Sequence, residues 1–214
     1  MIKFSDVLVE QAYAQEIKAR REFFNALALR WENEFDQGEG KSVWAEIIDL
    51  FDLKPGQVVL DAGCGSGCLI PYILERIGEE GKLIAVDISE KMLALARKKW
   101  SGPHVFFIQA DVSQLGLIRL IDRLICFRLF PHLPDKRKAL LSFCQYLKRE
   151  GQLFIVHPAS RKQVNDFHAN LPTPLCRDKL PDKNEMMVLF RMAGLNIIDF
   201  WERENFYFIR AKIA

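Results

Sequence analysis

The chain has 214 residues, half of them hydrophobic, and its 30 basic and 28 acidic side chains leave a formal net charge of +2. That length fits one domain, or one domain with a cap, and supplies a substantial core. The charge balance argues against a nucleic-acid polyelectrolyte or a protein held to membranes by charge, and no apolar run approaches the ~20 residues of a bilayer span.

The N-terminal "MIKFSDVLVEQ" carries acids among its apolar residues and lacks the uninterrupted apolar core of a signal peptide. The five cysteines, Cys64, Cys68, Cys126, Cys144 and Cys176, are odd in number and irregularly spaced. They do not form a disulfide framework, so a reducing cytoplasm is expected. Cys64 and Cys68 lack the second ligand pair of a zinc motif.

In chain order, apolar residues from Val7 to Phe35 recur at helical spacing and predict a helix over residues 5–35. A break at "DQGEGK" follows, then a helix from Ser42, as N-cap, to Phe51. "LKPG" turns into a strand over Val58–Ala62, and a helix is expected from Gly67 to Ile77. Leu83–Val86 is a second strand, and Ser89 caps a helix over Glu90–Trp100. Val105–Gln109 and Ile121–Phe127 are the third and fourth strands, Asp135 caps a helix to Leu147, and Gln152–Val156 is the fifth strand. Residues 158–193 read as loop and helix, broken by Pro172, Pro174 and Pro181. Leu195–Trp201 and Phe206–Ala211 close the chain around the polar turn "ERE".

Alternating strands and helices imply an α/β fold: a doubly wound, Rossmann-like, mostly parallel sheet of seven strands with helices on both faces. The last turn is too short for a parallel crossover, so the final two strands form an antiparallel hairpin, with one reversed strand at or near the sheet edge. Residues 1–52 form an N-terminal helical unit over a compact domain at 53–214.

In such a sheet, ligands bind beyond the C-terminal strand ends, at the point where the strand order reverses. "VVLDAGCGSGCLI" places Asp61, Ala62, Gly63, Cys64, Gly65 and Gly67 in the turn after the first strand. Its glycines let the backbone approach a ligand closely. Asp87 ends the second strand, 20 residues after Gly67, where a carboxylate can accept both hydroxyls of a ribose. Asp111 ends the third strand, where it can accept from an exocyclic amine while the Val112 N–H donates to a ring nitrogen. The set suits an adenosine, hence a dinucleotide or S-adenosylmethionine. The dinucleotide pattern G-x-G-x-x-G needs a glycine where Cys68 stands, and too few residues follow the fifth strand for a second mononucleotide half.

"VVLDAGCGSG", "LIAVDISEKMLALAR", "FIQADVSQL" and "LKREGQLFIVH" resemble, in order and spacing, the four signature motifs of the class I S-adenosylmethionine-dependent methyltransferases. The likeness runs from Val58 to Val156, and the closing hairpin fits that family's reversed seventh strand. The resemblance implies that Asp61 and the Gly63–Gly67 loop hold the methionine part, with Ala62 and Cys64 in the same loop. Asp87 takes the ribose, Ile88 and Met92 flank the adenine, Asp111 and Val112 read its edge, and Cys126 lies beside the cofactor. "REFFNALALRWENEF" resembles the helical lid of the small-molecule branch, near the ubiquinone- and menaquinone-type enzymes, and puts Trp31 near the cofactor entrance.

The segment after the fourth strand, "CFRLFPHLPDK", lacks the NPPY or DPPY pattern that suggests an amide or amino nitrogen of a nucleobase or protein as acceptor. Arg128 stands where a small polar residue is more usual. His132 carries a side chain that titrates near neutrality and is the candidate base toward a hydroxyl, thiol or carbon acid. His157, the second catalytic candidate, follows the fifth strand, with Arg161 and His168 placed to meet a substrate. The three histidines also raise a metal site, but nothing in their spacing fixes its geometry, and no metal is assigned. The proline-rich "NLPTPLCRDKLPDK" reads as a loop over the site. The expected activity is methyl transfer from S-adenosylmethionine to a small-molecule acceptor, with no nucleic-acid partner and no membrane span. The alternatives are a non-catalytic S-adenosylmethionine-binding module and a nicotinamide oxidoreductase.

Overall fold

The computed structural model describes residues 4–34 and 41–214. It opens with two helices, α1 (Phe4–Glu34) and α2 (Lys41–Asp49). Five parallel strands follow: β1 (Val58–Ala62), β2 (Lys82–Asp87), β3 (Val105–Gln109), β4 (Ile121–Phe127) and β5 (Leu147–His157). Helices α3 (Ile70–Ile77), α4 (Glu90–Lys99) and α5 (Lys136–Tyr146) connect them, β3 excepted, which leads to β4 through a 3-10 turn at Val112–Gln114. After β5 come α6 (Arg161–Ala169), α7 (Lys183–Met192), β6 (Leu195–Arg203) and β7 (Phe206–Ile213).

The sheet order is β3-β2-β1-β4-β5-β7-β6, and β7 alone runs antiparallel, to both β5 and β6. The reversed strand therefore sits one place in from the edge, as the short final turn requires. β1 is an interior strand between β2 and β4, and its residues from Val59 to Ala62 are buried, which is why it reads as a nearly unbroken apolar run. Successive side chains serve opposite faces. Leu60 and Ala62 join Leu140, Phe143 and Phe190 from α5 and α7, whereas Val59 joins Ile47, Ile73 and Leu93 from α2, α3 and α4. The edge strand β3 is the wettest of the first five, with Phe106 and Ile108 exposed.

Differences from the expected boundaries have local causes. Helix α3 starts at Ile70 rather than Gly67, because Gly63, Gly65 and Gly67 all hold positive φ and Pro71 occupies the first turn. Strand β5 begins five residues early, at Leu147, with a register shift opposite Ile121 and Arg123. Gly151 permits it: a Cβ there would lie 2.6 Å from the Ile121 carbonyl oxygen. Ser42 lies inside α2 rather than capping it. Ser89 and Asp135 cap α4 and α5 as expected, accepting from the N–H groups of Met92 and Lys138. Phe35 and residues 36–40 of the expected break "DQGEGK" lie outside the described residues, as does the side chain of Trp31, whereas Lys41 of that stretch already begins α2. Among the described residues no helix is long and apolar enough to cross a membrane.

Candidate functional site

The carboxyl ends of β1, β2, β3 and β4 open into one cleft of about 960 Å3, part of it continuous with solvent. Its floor is the turn after β1. The N–H groups of Gly63 and Cys64 both donate to the Val86 carbonyl, at 2.8 and 2.9 Å, which ties the turn to β2. The Gly65 N–H donates to Asp87 Oδ2 at 2.9 Å, and the Ser89 N–H donates to Oδ1 at 2.8 Å. A Cβ on Gly63 would come within 2.8 Å of Leu129, whereas one on Gly65 would meet nothing within 4 Å. Gly63 is thus needed for packing, and Gly65 leaves its space to the cleft.

The acids of this floor sit in a weakly solvating environment. Asp61, at the end of β1, is 2% exposed, and its Oδ2 has no partner. Burial, then the Asp87 charge, pushes its carboxyl up to about 7. Burial pushes Asp87 up to about 6, against the lowering effect of its backbone hydrogen bonds. Asp111 accepts from the Ser113 N–H at 2.9 Å and so starts the turn that leads away from β3. Its Oδ2 accepts from the Tyr13 hydroxyl and from Gln114 Nε2, each at 2.7 Å. Burial and the Asp111 charge raise the Tyr13 phenol, so it stays protonated and donates.

Of the residues singled out from the sequence, Gly63, Cys64, Gly65, Asp87, Ile88, Met92, Asp111, Val112, Arg128 and His132 line the cleft. Asp61 and Ala62, at the end of β1, and Gly67, in the turn, are buried behind the cleft surface. Others are not brought to the cleft walls. Cys126 is fully buried in β4, among the core residues beneath α5, and burial raises its thiol above the usual range. His157 is 4% exposed with Nε2 unpartnered, beside Tyr207 of the neighbouring strand, and burial pushes it well below the usual histidine range. Arg161 faces Glu202 of the closing hairpin, Nε to Oε1 at 3.4 Å. His168 is 5% exposed and its Nδ1 donates to the Asp178 carbonyl at 3.1 Å. Among the described residues no group of three or more ligating side chains is placed to hold a metal.

Arg128 holds φ at +54°, a conformation costly for a side chain of its size. Its guanidinium lies over the rings of Phe127 and Trp44, at 5.2 and 5.9 Å. His132 ends a 3-10 turn, Phe130–His132, that Pro131 starts. Its Nδ1 lies 2.7 Å from Asp178 Oδ2, and its ring meets that of Phe24 edge-on at 5.2 Å.

The roof is α1. Ile17, Arg20 and Phe24 line the cleft from it. Asn25 accepts from the Ser89 hydroxyl at 2.7 Å and donates to Glu90 at 2.8 Å, binding α1 to the start of α4. Sequence reasoning missed Tyr13, Arg20, Asn25 and Asp178. Arg20 and Asp178 are polar positions inside charged stretches, and only tertiary packing makes them buried.

Residues 59–151 match the model of a methyltransferase domain family. The ubiquinone/menaquinone biosynthesis C-methyltransferase UbiE of Vibrio vulnificus is 29% identical over 68% of this chain and 59% of its own length. That of Vibrio cholerae is 31% identical over 80% of this chain and 65% of its own length. The chain thus spans less than two thirds of either relative. The fold is that of magnesium protoporphyrin IX methyltransferase from Synechocystis, a structure with bound S-adenosylmethionine: TM-score 0.69, 19% identity, covering 93% of this chain and 97% of that one.

Residues 59–151 carry a methyltransferase domain, and the chain has the fold of the S-adenosylmethionine-dependent methyltransferases.

The residues of the cleft fit the cofactor of those enzymes. The orphaned Asp61 Oδ2 lies beneath the turn, Gly65 leaves room above it, and two carboxylates, Asp87 and Asp111, face the cleft at the ends of adjacent strands. Ile88, Met92 and Val112 add apolar surface between them, suited to a flat purine.

Proposed function

We propose that the chain transfers a methyl group from S-adenosylmethionine to a small-molecule acceptor, with residues 1–52 acting as a lid over the domain at 53–214. One observation carries this reading. The glycine turn, Asp87 and Asp111 open on the same cleft as His132, so a cofactor site and a basic side chain share one space roofed by α1. When bound, the cofactor supplies an electrophilic sulfonium methyl group.

The chain's own work is then to bind, align and exclude water. Asp87, held by two backbone N–H groups, is oriented to accept the ribose hydroxyls. Asp111 and the Val112 N–H meet the adenine edge. Phe24, Phe127, Leu129 and Leu133 form an apolar wall on the acceptor side and favour an acceptor with a substantial apolar body. His132 removes the acceptor's proton. The two UbiE relatives support a carbon acceptor as one case within this class. The near-neutral charge supports a free small molecule rather than nucleic acid, and the five cysteines, none of them in a disulfide, support a reducing, cytoplasmic setting.

Thermal unfolding with S-adenosylhomocysteine tests the reading. At a hundredfold excess over the dissociation constant the ligand is expected to stabilise the fold by about 2.7 kcal/mol, and NAD to do nothing. A larger shift with NAD, or none with S-adenosylhomocysteine, sinks it.

A further inference from the structure

Three histidines gather near the carboxyl ends of β4 and β5, and they are not equivalent. His132 lines the cleft, and its ring lies 4.8 Å from that of His168, centroid to centroid. Asp178, in the proline-rich segment between α6 and α7, holds both. A carbonyl oxygen can only accept, so His168 Nδ1 carries a proton and donates it to the Asp178 carbonyl. Burial, then the neighbouring His132, pushes His168 down to about 4, so it is neutral at physiological pH. An ionised carboxylate also only accepts, so His132 Nδ1 donates to Asp178 Oδ2. That leaves the lone pair of His132 on Nε2. The other carboxylate oxygen, Oδ1, is ion-paired with Arg20 of α1 at 2.5 Å. The Arg20 and Asp178 side chains are 5% and 2% exposed, so this pair is shielded from water and its removal is costly. Arg20 is held in turn by Glu16, one turn back on the same helix.

We propose that Asp178 is the positioning residue for His132, fixing its tautomer so that Nε2 faces the acceptor as a base, and that Arg20 couples this arrangement to the seating of α1. The inference rests on the methyltransferase reading above. In the transfer, the acceptor atom bonds to the methyl carbon, the sulfur keeps the electron pair of the broken C–S bond, and the acceptor's proton passes to His132 Nε2. The imidazolium that forms is then stabilised by the Asp178 carboxylate, in the manner of an orienting acid behind a histidine base. The charged and titratable groups around the His132–Asp178 pair are Arg20 from α1, Lys136 from α5, His157 from β5 and His168 from α6. Lys136 donates to the carbonyls of Pro131 and Leu133 and so holds the turn that carries His132. With α1 displaced, Asp178 loses its Arg20 partner and the dyad loses its fixed geometry, so the base is complete only under a closed roof.

The test needs no acceptor. Imidazole nitrogens of the full-length protein are observed by 15N NMR at mildly alkaline pH, with and without S-adenosylhomocysteine, and His132 is assigned by its loss in His132→Gln. The wild type is expected to show His132 as the Nδ1–H tautomer. In Asp178→Asn that pattern is expected to give way to a mixture of tautomers, with S-adenosylhomocysteine still bound, though more weakly because α1 loses the Arg20 contact. Should Asp178→Asn not fold, Arg20→Met carries the same expectation, and Asp178→Glu is expected to restore the Nδ1–H form in part. A His132 spectrum that is the same in the wild type, Asp178→Asn and Arg20→Met overturns the proposal. Failure of S-adenosylhomocysteine to bind the wild type overturns the methyltransferase reading instead, whatever the tautomer.

Discussion

Asp87 uses both carboxylate oxygens to hold backbone N–H groups, one in the glycine turn and one at the start of α4. It therefore shapes the floor as well as facing the cleft. Asp87→Ala is expected to lower S-adenosylhomocysteine affinity by about 1.5–3 kcal/mol, one to two orders of magnitude, through lost charge-assisted hydrogen bonds. Calorimetry reads this, and an unchanged affinity would place the ribose elsewhere. Asp61 gives a second expectation, in pH. Its carboxyl is raised to about 7 in the fold, against about 3.9 in an unfolded chain. A raised carboxyl contributes stability that is full below the unfolded value and is lost as pH rises through the folded one. The ligand-free protein is thus expected to lose stability between about pH 4 and 7. Asp61→Asn is expected to flatten that fall, because an amide does not ionise. Equal pH profiles for the two proteins would show that Asp61 is not the group responsible.

At the level of elements, the sequence made most of the sheet legible and little of the roof. Strands β1 to β4 declare themselves as short apolar runs ending in acids or flanked by turn residues, and Ser89 and Asp135 announce the helices that follow them. The exact start of α3 was hidden because the periodicity of "CLIPYILERI" extends back past Cys68, while the three positive-φ glycines that delay the helix are a backbone property. The early start of β5 was hidden because Lys148–Gly151 looks like a turn and pairs only through a register shift. Cofactor-side acids were legible because motif spacing follows chain connectivity. Asp178 and Arg20 were not, since they stand 158 positions apart in the chain and no periodic signal links them. The glycines of the turn also separate two kinds of constraint. Gly63→Ala meets Leu129 at 2.8 Å as well as an unfavourable φ of +70°, so it is expected to unfold at a markedly lower temperature than the wild type. Gly65→Ala meets no atom and bears only the backbone cost, about 1–2 kcal/mol. It is expected to lose more in S-adenosylhomocysteine binding than Gly63→Ala loses relative to its own stability. The reverse order in paired melting and binding measurements would show that Gly65 does not border the ligand.

For the whole molecule, the arrangement that matters is one helix touching both ends of one cleft. From its N-terminal half, α1 sends the Tyr13 hydroxyl to Asp111, on the side where strand β3 ends. Lys138 of α5 rests on the Tyr13 ring, its Nζ 3.8 Å from the centroid, so this contact joins three elements. Farther along, Arg20 reaches Asp178, Phe24 covers His132, and Asn25 joins the start of α4. These partners come from separate parts of the chain, and none belongs to α1's own neighbours in sequence. A helix whose side chains from Val7 to Val9 are exposed, with Val9 at 69%, has little apolar burial there to hold it down. Its seating at that end rests on a few polar contacts, which places it among the segments that open at low free-energy cost. A ligand that binds only the closed form shifts that opening by mass action. S-adenosylhomocysteine is therefore expected to slow amide hydrogen exchange in α1 more than in the buried strands, which open only globally. Tyr13→Phe removes one hydrogen bond to a carboxylate, worth about 1.5–3 kcal/mol, and is expected to speed exchange along α1 while β1 and β4 keep wild-type protection. Protection of α1 that responds neither to the ligand nor to Tyr13→Phe would make the helix a fixed part of the domain, with the cleft entered from another side.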